Sequence, residues 1–378
     1  MGFDAHPEFP LDDDIIYLNH AAVAPWPKRT AEAVKTFAEE NMRIGAQHYP
    51  RWLKKERQLH QQLQQLLNAP SADDIALVKN TSEAISFVAH GLDWQAGDNI
   101  VSSNEEFPSN RIPWESLSKY GVELRQADLT GAESPEQALF EKVDDRTRLL
   151  AISSIQFASG LRLNLDQIGD FCRKRGIFFC VDAIQSLGAV RFDVQACQAD
   201  FVMADGHKWM LGPEGLGVFY ATPKGRDALS LTQYGWHMME DAHNYENKPW
   251  RVHPTARRFE CGSPNMLGIH ALSASLSLLL ETGMKIVEER LLENMTLLIE
   301  KIEGNGDLIL TTTLRRNWLS GIVVFRHRIA SSGAVYAHLR DKGVICAQRG
   351  GGIRFSPHFY TTIDELDEAM ATISSLPL

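Results

Sequence analysis

The chain reads as an α/β protein, with a large domain built on a mixed, mostly parallel sheet flanked by helices and a smaller α+β domain towards the C-terminus. Three observations predict this. The 378 residues exceed the roughly 100 to 200 of one ordinary domain. From about residue 70 to 220, short β-branched and aromatic runs alternate with helical patterns, the arrangement that builds a sheet covered by helices on both faces. Beyond about residue 260 the runs lengthen into apolar-periodic helices followed by a few short strands. The large domain is expected over 17–257, and the small one over 1–16 and 258–378.

Taken in order, 75–78 (IALV) reads as a strand running into Asn80-Thr81-Ser82, with a helix over 83–92 closed near Gly91. Residues 100–102 and 149–153 read as further strands. The helix over 165–175 ends in basic residues and Gly176, and a strand follows at 177–181. The segment 233–258, rich in aromatic, histidine and charged residues, reads as an irregular excursion. In the C-terminal half, helices are expected over 267–280 and 286–302, strands over 321–325, 344–346 and 352–355, and a helix around 335–339. Thr362 and Glu365 form the sequence pattern of a capping box for the last helix.

With 38 Lys+Arg against 48 Asp+Glu, the formal net charge is −10, which argues against an electrostatic grip on nucleic acid or anionic lipid. The composition, 44% hydrophobic and 23% charged, is that of a globular chain with a large core. No stretch approaches the roughly 20 apolar residues of a membrane span, and residues 1–6 lack a secretory pattern. The five cysteines fall in no closely spaced pairs, so neither a zinc site nor a disulfide framework is expected and a reducing, cytoplasmic setting fits. His237, His243 and His253 show no paired helical spacing, and no metal is expected.

The chemistry concentrates between 178 and 220. A strand over 178–181 delivers Asp182 at its carboxyl end, where open α/β sheets place ligands. A second strand over 201–204 ends in Asp205-Gly206-His207-Lys208 and a glycine-rich run. Singly, Asp182 reads as a helix cap and Lys208 as a solvated loop lysine. Together they offer one crevice an amine suited to forming an imine and a carboxylate suited to holding a pyridinium nitrogen protonated, the two demands of pyridoxal 5′-phosphate chemistry. Thr81 and Ser82, at a helix N-terminus, read either as a simple cap or as a cradle for a phosphate.

These segments, with Tyr17-Leu18-Asn19-His20-Ala21-Ala22, Val181-Asp182-Ala183-Ile184-Gln185-Ser186-Leu187-Gly188, Phe259-Glu260-Cys261-Gly262-Ser263-Pro264-Asn265 and Ile353-Arg354-Phe355-Ser356-Pro357-His358, resemble the class V aminotransferases. These are fold-type I pyridoxal-phosphate enzymes, a group that includes cysteine desulfurases, kynureninases and isopenicillin N epimerase-like proteins. The resemblance implies that Lys208 forms the imine and Asp182 partners the ring nitrogen. It implies that Gln185 donates to the phenolic oxygen and that His207, Thr81 and Ser82 meet the phosphate. Ser263 would reach the phosphate of a neighbouring subunit, so a homodimer with shared active sites is implied. Arg354 would hold the α-carboxylate of an amino-acid substrate, with Asn19 beside it.

Two positions depart from the desulfurases. Phe107 stands where they carry a histidine; it can stack on the cofactor but cannot carry a proton. Gln156 stands as substitute for the family's asparagine. Cys346-Ala347 precedes Arg354 as in one group of desulfurases, yet the short intervening loop and a strand-like setting mark Cys346 as a packed thiol. The expectation is therefore an aminotransferase-type reaction, with a cysteine desulfurase or kynureninase-like lyase as the alternative and a non-catalytic binding protein on the same fold as a third reading. Arg349 reads either as a contact to a second acidic group of the substrate or as a solvated loop residue.

Overall fold

The computed structural model describes residues 6–130, 132–242, 244–246, 249–312 and 319–377, so His243 lies outside the described residues. Thirteen strands are labelled in chain order. They are β1 (Ile16–Tyr17), β2 (Ile75–Val78), β3 (Asn99–Ser103), β4 (Glu123–Ala127), β5 (Thr147–Ser153), β6 (Phe178–Asp182) and β7 (Phe201–Asp205), then β8 (Gly217–Ala221), β9 (Leu308–Leu310), β10 (Val323–His327), β11 (Val344–Ile345), β12 (Ala347–Arg349) and β13 (Gly352–Phe355).

Seven of them form the central sheet in the order β2-β8-β7-β6-β5-β3-β4, parallel except at β8. Because β8 runs antiparallel to both neighbours, β2 points the same way as β5, β6 and β7. The carboxyl ends of all four therefore open on one edge of the sheet. Alternate residues of each strand feed two cores. Val181 and Val202 join Leu59, Leu63 and Leu150 on one face, while Cys180, Phe201 and Met203 join Ile85, Val88, Trp114 and Phe219 on the other. Both faces are covered at the centre of the sheet, so β6 and β7 are apolar up to the aspartate that ends each rather than alternating with polar positions.

The sequence expectations for local structure are met closely at the caps. Asn164 and Gly176 bracket the helix Leu165–Arg175, with Gly176 at φ +70°, and the capping box at Thr362 and Glu365 is formed. The helix expected over 83–92 starts two residues earlier, as Thr81–Gly91, because the Asn80 side chain accepts the Glu83 amide and acts as its N-cap. The strand expected over 321–325 starts later, at Val323. Gly321 is pressed against the indole of Trp209, where a Cβ would lie 2.4 Å from a ring carbon, so this residue packs instead of pairing.

β12-β13-β10-β9 form a second, antiparallel sheet whose core includes Leu298, Val323, Phe325, Leu339, Ile353, Phe355 and Leu366. The short β1 pairs in parallel with β11, tying the N-terminal segment to this C-terminal unit. The helix Met266–Thr282 lies beyond the boundary expected at 257, yet Ile269, Leu272, Leu276 and Leu279 pack into the core of the large sheet against the helices Lys28–Ile44 and Tyr49–Leu67. Among the described residues no single helix is long and apolar enough to cross a membrane.

Candidate active site

A cleft of about 900 Å³ opens where the carboxyl edge of the large sheet faces the hairpin β12–β13. Each strand end supplies part of its wall. β2 leads into Asn80, Thr81 and Ser82; β6 ends at Asp182; β7 ends at Asp205, followed by His207 and Lys208. The β3–β4 connection adds Phe107, the segment after β1 adds Asn19, and β13 adds Arg354. Eight of the expected site residues are thus brought together: Asn19, Thr81, Ser82, Phe107, Asp182, His207, Lys208 and Arg354.

Lys208 is 8% exposed, and burial holds its ammonium below the ordinary lysine range, with Asp182 opposing and Arg354 reinforcing the shift. A lysine in that state is available as a free amine, the form that attacks a carbonyl. Its Nζ lies 5.6 Å from the centre of the Phe107 ring, which meets Phe157 edge-on at 5.1 Å. Asp182 is 2% exposed and burial pushes its carboxyl up; the Ile184 amide, donating to Oδ1 at 3.0 Å, works in the other direction. A cation seated against Asp182 would hold it ionised.

At the opposite wall, Thr81 and Ser82 occupy the first turn of an 11-residue helix, where backbone N–H groups have no intrahelical acceptor. Thr81 Oγ1 accepts the Asp205 amide at 3.1 Å, and Ser82 Oγ donates to Ser109 Oγ at 2.9 Å, so both residues are fixed in place. His207 Nδ1 is buried without a hydrogen bond, although Asp205 Oδ1 is 3.2 Å away; the angle is poor, which leaves the ring nitrogen for another partner. Arg354 is 3% exposed, donates through Nη1 to the Phe157 carbonyl at 2.7 Å, and leaves Nε unpaired. Burial, with Arg349 nearby, lowers it to about 10. Asn19 Oδ1 is likewise buried and unpaired. Buried polar groups are normally satisfied, so these orphans on the wall of one cleft mark the places of a ligand.

Three expected residues do not line the cleft. Gln185 is engaged at both ends, its Nε2 donating to the Ala21 carbonyl at 3.1 Å and its Oε1 accepting from Trp209 Nε1 at 2.8 Å, so it braces the Ala21 wall from behind. Gln156 is fully buried and donates to Glu106 Oε1 at 2.8 Å, leaving its own Oε1 unpaired. Ser263 is exposed and sits at a separate groove beside Gly215 and Gly262.

Sequence reasoning missed Glu106, Tyr336 and Arg340. Glu106 is buried beneath the site and gathers donors from Asn110, Ser153 and Gln156 at 2.5 to 2.9 Å; burial raises its carboxyl against these bonds. Tyr336 and Arg340, one turn apart on the helix Ser332–Asp341, line the cleft from the small-domain side. Cys346 also lines it, but burial pushes its thiol up to about 12.

Away from the cleft, Glu56, His237 and Glu260 cluster within metal-ligand distance. They are already occupied with cationic neighbours. Arg257 contacts His237 Nε2 at 3.0 Å, and His60 Nε2 meets Glu260 Oε1 at 3.0 Å. Burial alone would lower His60, but Glu260 overrides it and raises the imidazole to about 9. An imidazole raised above its ordinary value of 6.5 gives its full stabilisation below about pH 6.5 and loses it as pH rises through about 9. Thermal melts should therefore show a stability decline between these values that is flattened in His60→Gln; an unchanged slope in that variant would assign the decline to other groups.

A buried lysine amine, a buried carboxylate, a helix N-terminus and a guanidinium with a free Nε around one cleft fit pyridoxal 5′-phosphate with an amino acid, and comparison with known proteins agrees. A probable cysteine desulfurase of Methanothermobacter thermautotrophicus is 30% identical over 99% of this chain and 97% of its own length. The apo cysteine desulfurase of Thermococcus onnurineus superposes with a TM-score of 0.88 at 23% identity, covering 100% of this chain and 99% of that one. The protein C-DES, solved with glycine covalently linked to its pyridoxal-phosphate cofactor, superposes at 0.91 with 21% identity, covering 99% and 100%. In a second structure, C-DES is described as a cystine C–S lyase in complex with its product, cysteine persulfide, and superposes at 0.90 with 21% identity, covering 98% and 100%. At these identities the two solved proteins establish a shared fold. The model of the family "Aminotransferase class-V" matches residues 16–368, and with nearly the whole chain inside it this protein belongs to the class V aminotransferase family.

Proposed function

We propose that the chain is a pyridoxal 5′-phosphate-dependent enzyme of α-amino acids, and that its reaction is cleavage of a carbon–sulfur bond. The observation that carries the first part is the convergence of Lys208, Asp182 and Arg354, whose Nε is without a partner, on one cleft with the free N-terminus of the helix Thr81–Gly91. When bound, the cofactor supplies an aldehyde and an electron-withdrawing ring. Lys208 Nζ would hold that aldehyde, and the same amine is placed to move a proton at the substrate Cα. Asp182 keeps a proton on the ring nitrogen. The amides of Thr81 and Ser82, with His207, hold the phosphate, and Arg354 and Asn19 orient the substrate carboxylate. Phe107 presents an apolar ring to the cleft, its centre 5.6 Å from Lys208 Nζ.

The second part is supported by the relatives, named as a probable cysteine desulfurase and a cystine C–S lyase. Transfer of sulfur onto Cys346 is opposed by its burial, since a thiol raised to about 12 is almost wholly protonated at neutral pH. The expected result, with a thiol reductant present, is sulfide formation that continues in Cys346→Ser at a rate close to wild type. Cysteine loses sulfide directly with pyruvate and ammonia; cystine gives pyruvate, ammonia and cysteine persulfide, whose outer sulfur the added thiol reduces to sulfide. The assay measures sulfide, pyruvate and alanine beside the amino products formed with added 2-oxo acids. Amino transfer without sulfide would restore the aminotransferase reading; sulfide lost with Cys346 would make that thiol the acceptor.

A homodimer belongs to the same proposal. Ser263 is exposed and lines a groove other than its own chain's cleft, as a residue serving a second copy would. All five cysteines are unpaired, which supports a cytoplasmic, reducing location.

A further inference from the structure

The small-domain wall of the cleft carries three arginines, and the function proposed above uses one. Arg354 lies on β13 opposite Ala347 of β12, and Arg349 is two residues on from Ala347. Residues paired across antiparallel strands share a face, as do alternate residues along one strand, so Arg349 and Arg354 are diagonal neighbours on the cleft side of the hairpin. Arg340 faces the same cleft from the helix Ser332–Asp341. The acidic residues that line the cleft, Asp182 and Asp205, are both on the opposite wall, at the sheet edge.

Neither extra arginine is neutralised among the described residues. Arg349 makes a hydrogen bond to the adjacent Gln348 carbonyl at 2.9 Å, and no carboxylate pairs with it or with Arg340. The hairpin that presents Arg349 is firmly seated. Its two-residue turn, Gly350-Gly351, has φ of +60° and +76°, the conformation of a tight hairpin turn. A Cβ on Gly350 would lie 2.5 Å from the Ala158 carbonyl, so the tip rests directly on the large domain beside the Phe157 carbonyl that Arg354 holds. Three guanidinium groups around one cleft, with no acid among them, create a focused positive field and a set of planar donors for oxyanions.

We infer that the substrate is an α-amino acid bearing a second anionic group at the end of its side chain, which Arg349 and Arg340 bind while Arg354 takes the α-carboxylate. The inference rests on the amino-acid reading above but adds a selection that this reading does not require. Both arginines are exposed, so replacing them leaves the core intact.

The test is a titration of the purified holoenzyme, followed by the visible spectrum of its bound cofactor. The ligands are two matched pairs: aspartate with asparagine, and S-carboxymethylcysteine with S-carbamoylmethylcysteine. In at least one pair the acidic member should half-saturate at a concentration about tenfold or more below its neutral partner, the range expected of charge-assisted hydrogen bonds. Arg349→Gln and Arg340→Gln should each weaken the acidic ligand and leave the neutral one unchanged. Equal responses to acidic and neutral members in the wild type would overturn the inference while leaving the functional proposal standing. Equal weakening of both members by Arg349→Gln would overturn it too, by assigning Arg349 to the α-carboxylate. No spectral response to any amino acid would remove the functional proposal and this inference with it.

Discussion

Replacing Lys208 with alanine should reduce turnover by at least about 10³-fold, in the upper range for loss of a proton-transferring side chain, and should leave no borohydride-stable link between protein and cofactor. Lys208 follows the carboxyl end of a central strand, is 8% exposed, and is held by burial below the ordinary lysine range, so that more of it is free amine than of a solvated lysine. Among the described residues no other lysine lines the cleft. Fold and cofactor capture should be separable from catalysis in this variant. The anion site at Thr81 and Ser82 and the carboxylate at Asp182 remain, so the cofactor should still bind by equilibrium, released by dialysis where the wild type retains it. A trapped adduct on a different lysine would displace Lys208 from this role.

The parts of the site legible in the sequence are those in which a short segment carries both the chemistry and its placement. Asp182 and Lys208 stand directly at or after apolar runs that become buried strands, and the strand end is itself the ligand edge. Thr81 and Ser82 are legible as lying at a helix N-terminus, although the helix is expected from 83 and begins, capped by Asn80, at Thr81. What could not be read is set by tertiary packing. Glu105 and Glu106 look alike in the chain, yet Ser153 and Gln156, some fifty residues on, turn Glu106 into a buried acceptor. Arg340 and Tyr336 sit on an amphipathic helix whose cleft-facing side is decided only when it packs on β12 and β13. The helix Met266–Thr282 is apolar all round, a pattern that predicts burial without saying against which domain.

Asp182→Asn should lower turnover by about 10² to 10³-fold, the usual loss when one preorganised electrostatic partner is removed, while keeping the apoenzyme as stable as the wild type or more so. The two expectations follow from one feature, a carboxylate buried where ionisation is disfavoured. Asparagine keeps an oxygen for the Ile184 amide, which now donates to Oδ1 at 3.0 Å, so β6 need not shift. The sign of the stability effect is fixed by linkage. An acid raised in the folded state costs stability above its unfolded value of about 3.9, and the cost grows as pH rises towards the folded value. The neutral amide removes that cost. Lys208 loses a counter-charge in the variant, but burial already favours its neutral form, so it gives up its proton more readily instead of destabilising the fold. Turnover falls for a different reason: an amide cannot hold the ring nitrogen protonated, and the ring then withdraws electrons weakly. Melting curves of the apoenzyme near pH 8, run beside steady-state rates of the holoenzyme, separate the two effects. Near-normal turnover would mean that another group holds the ring nitrogen, and a melting temperature well below wild type would make Asp182 a structural residue.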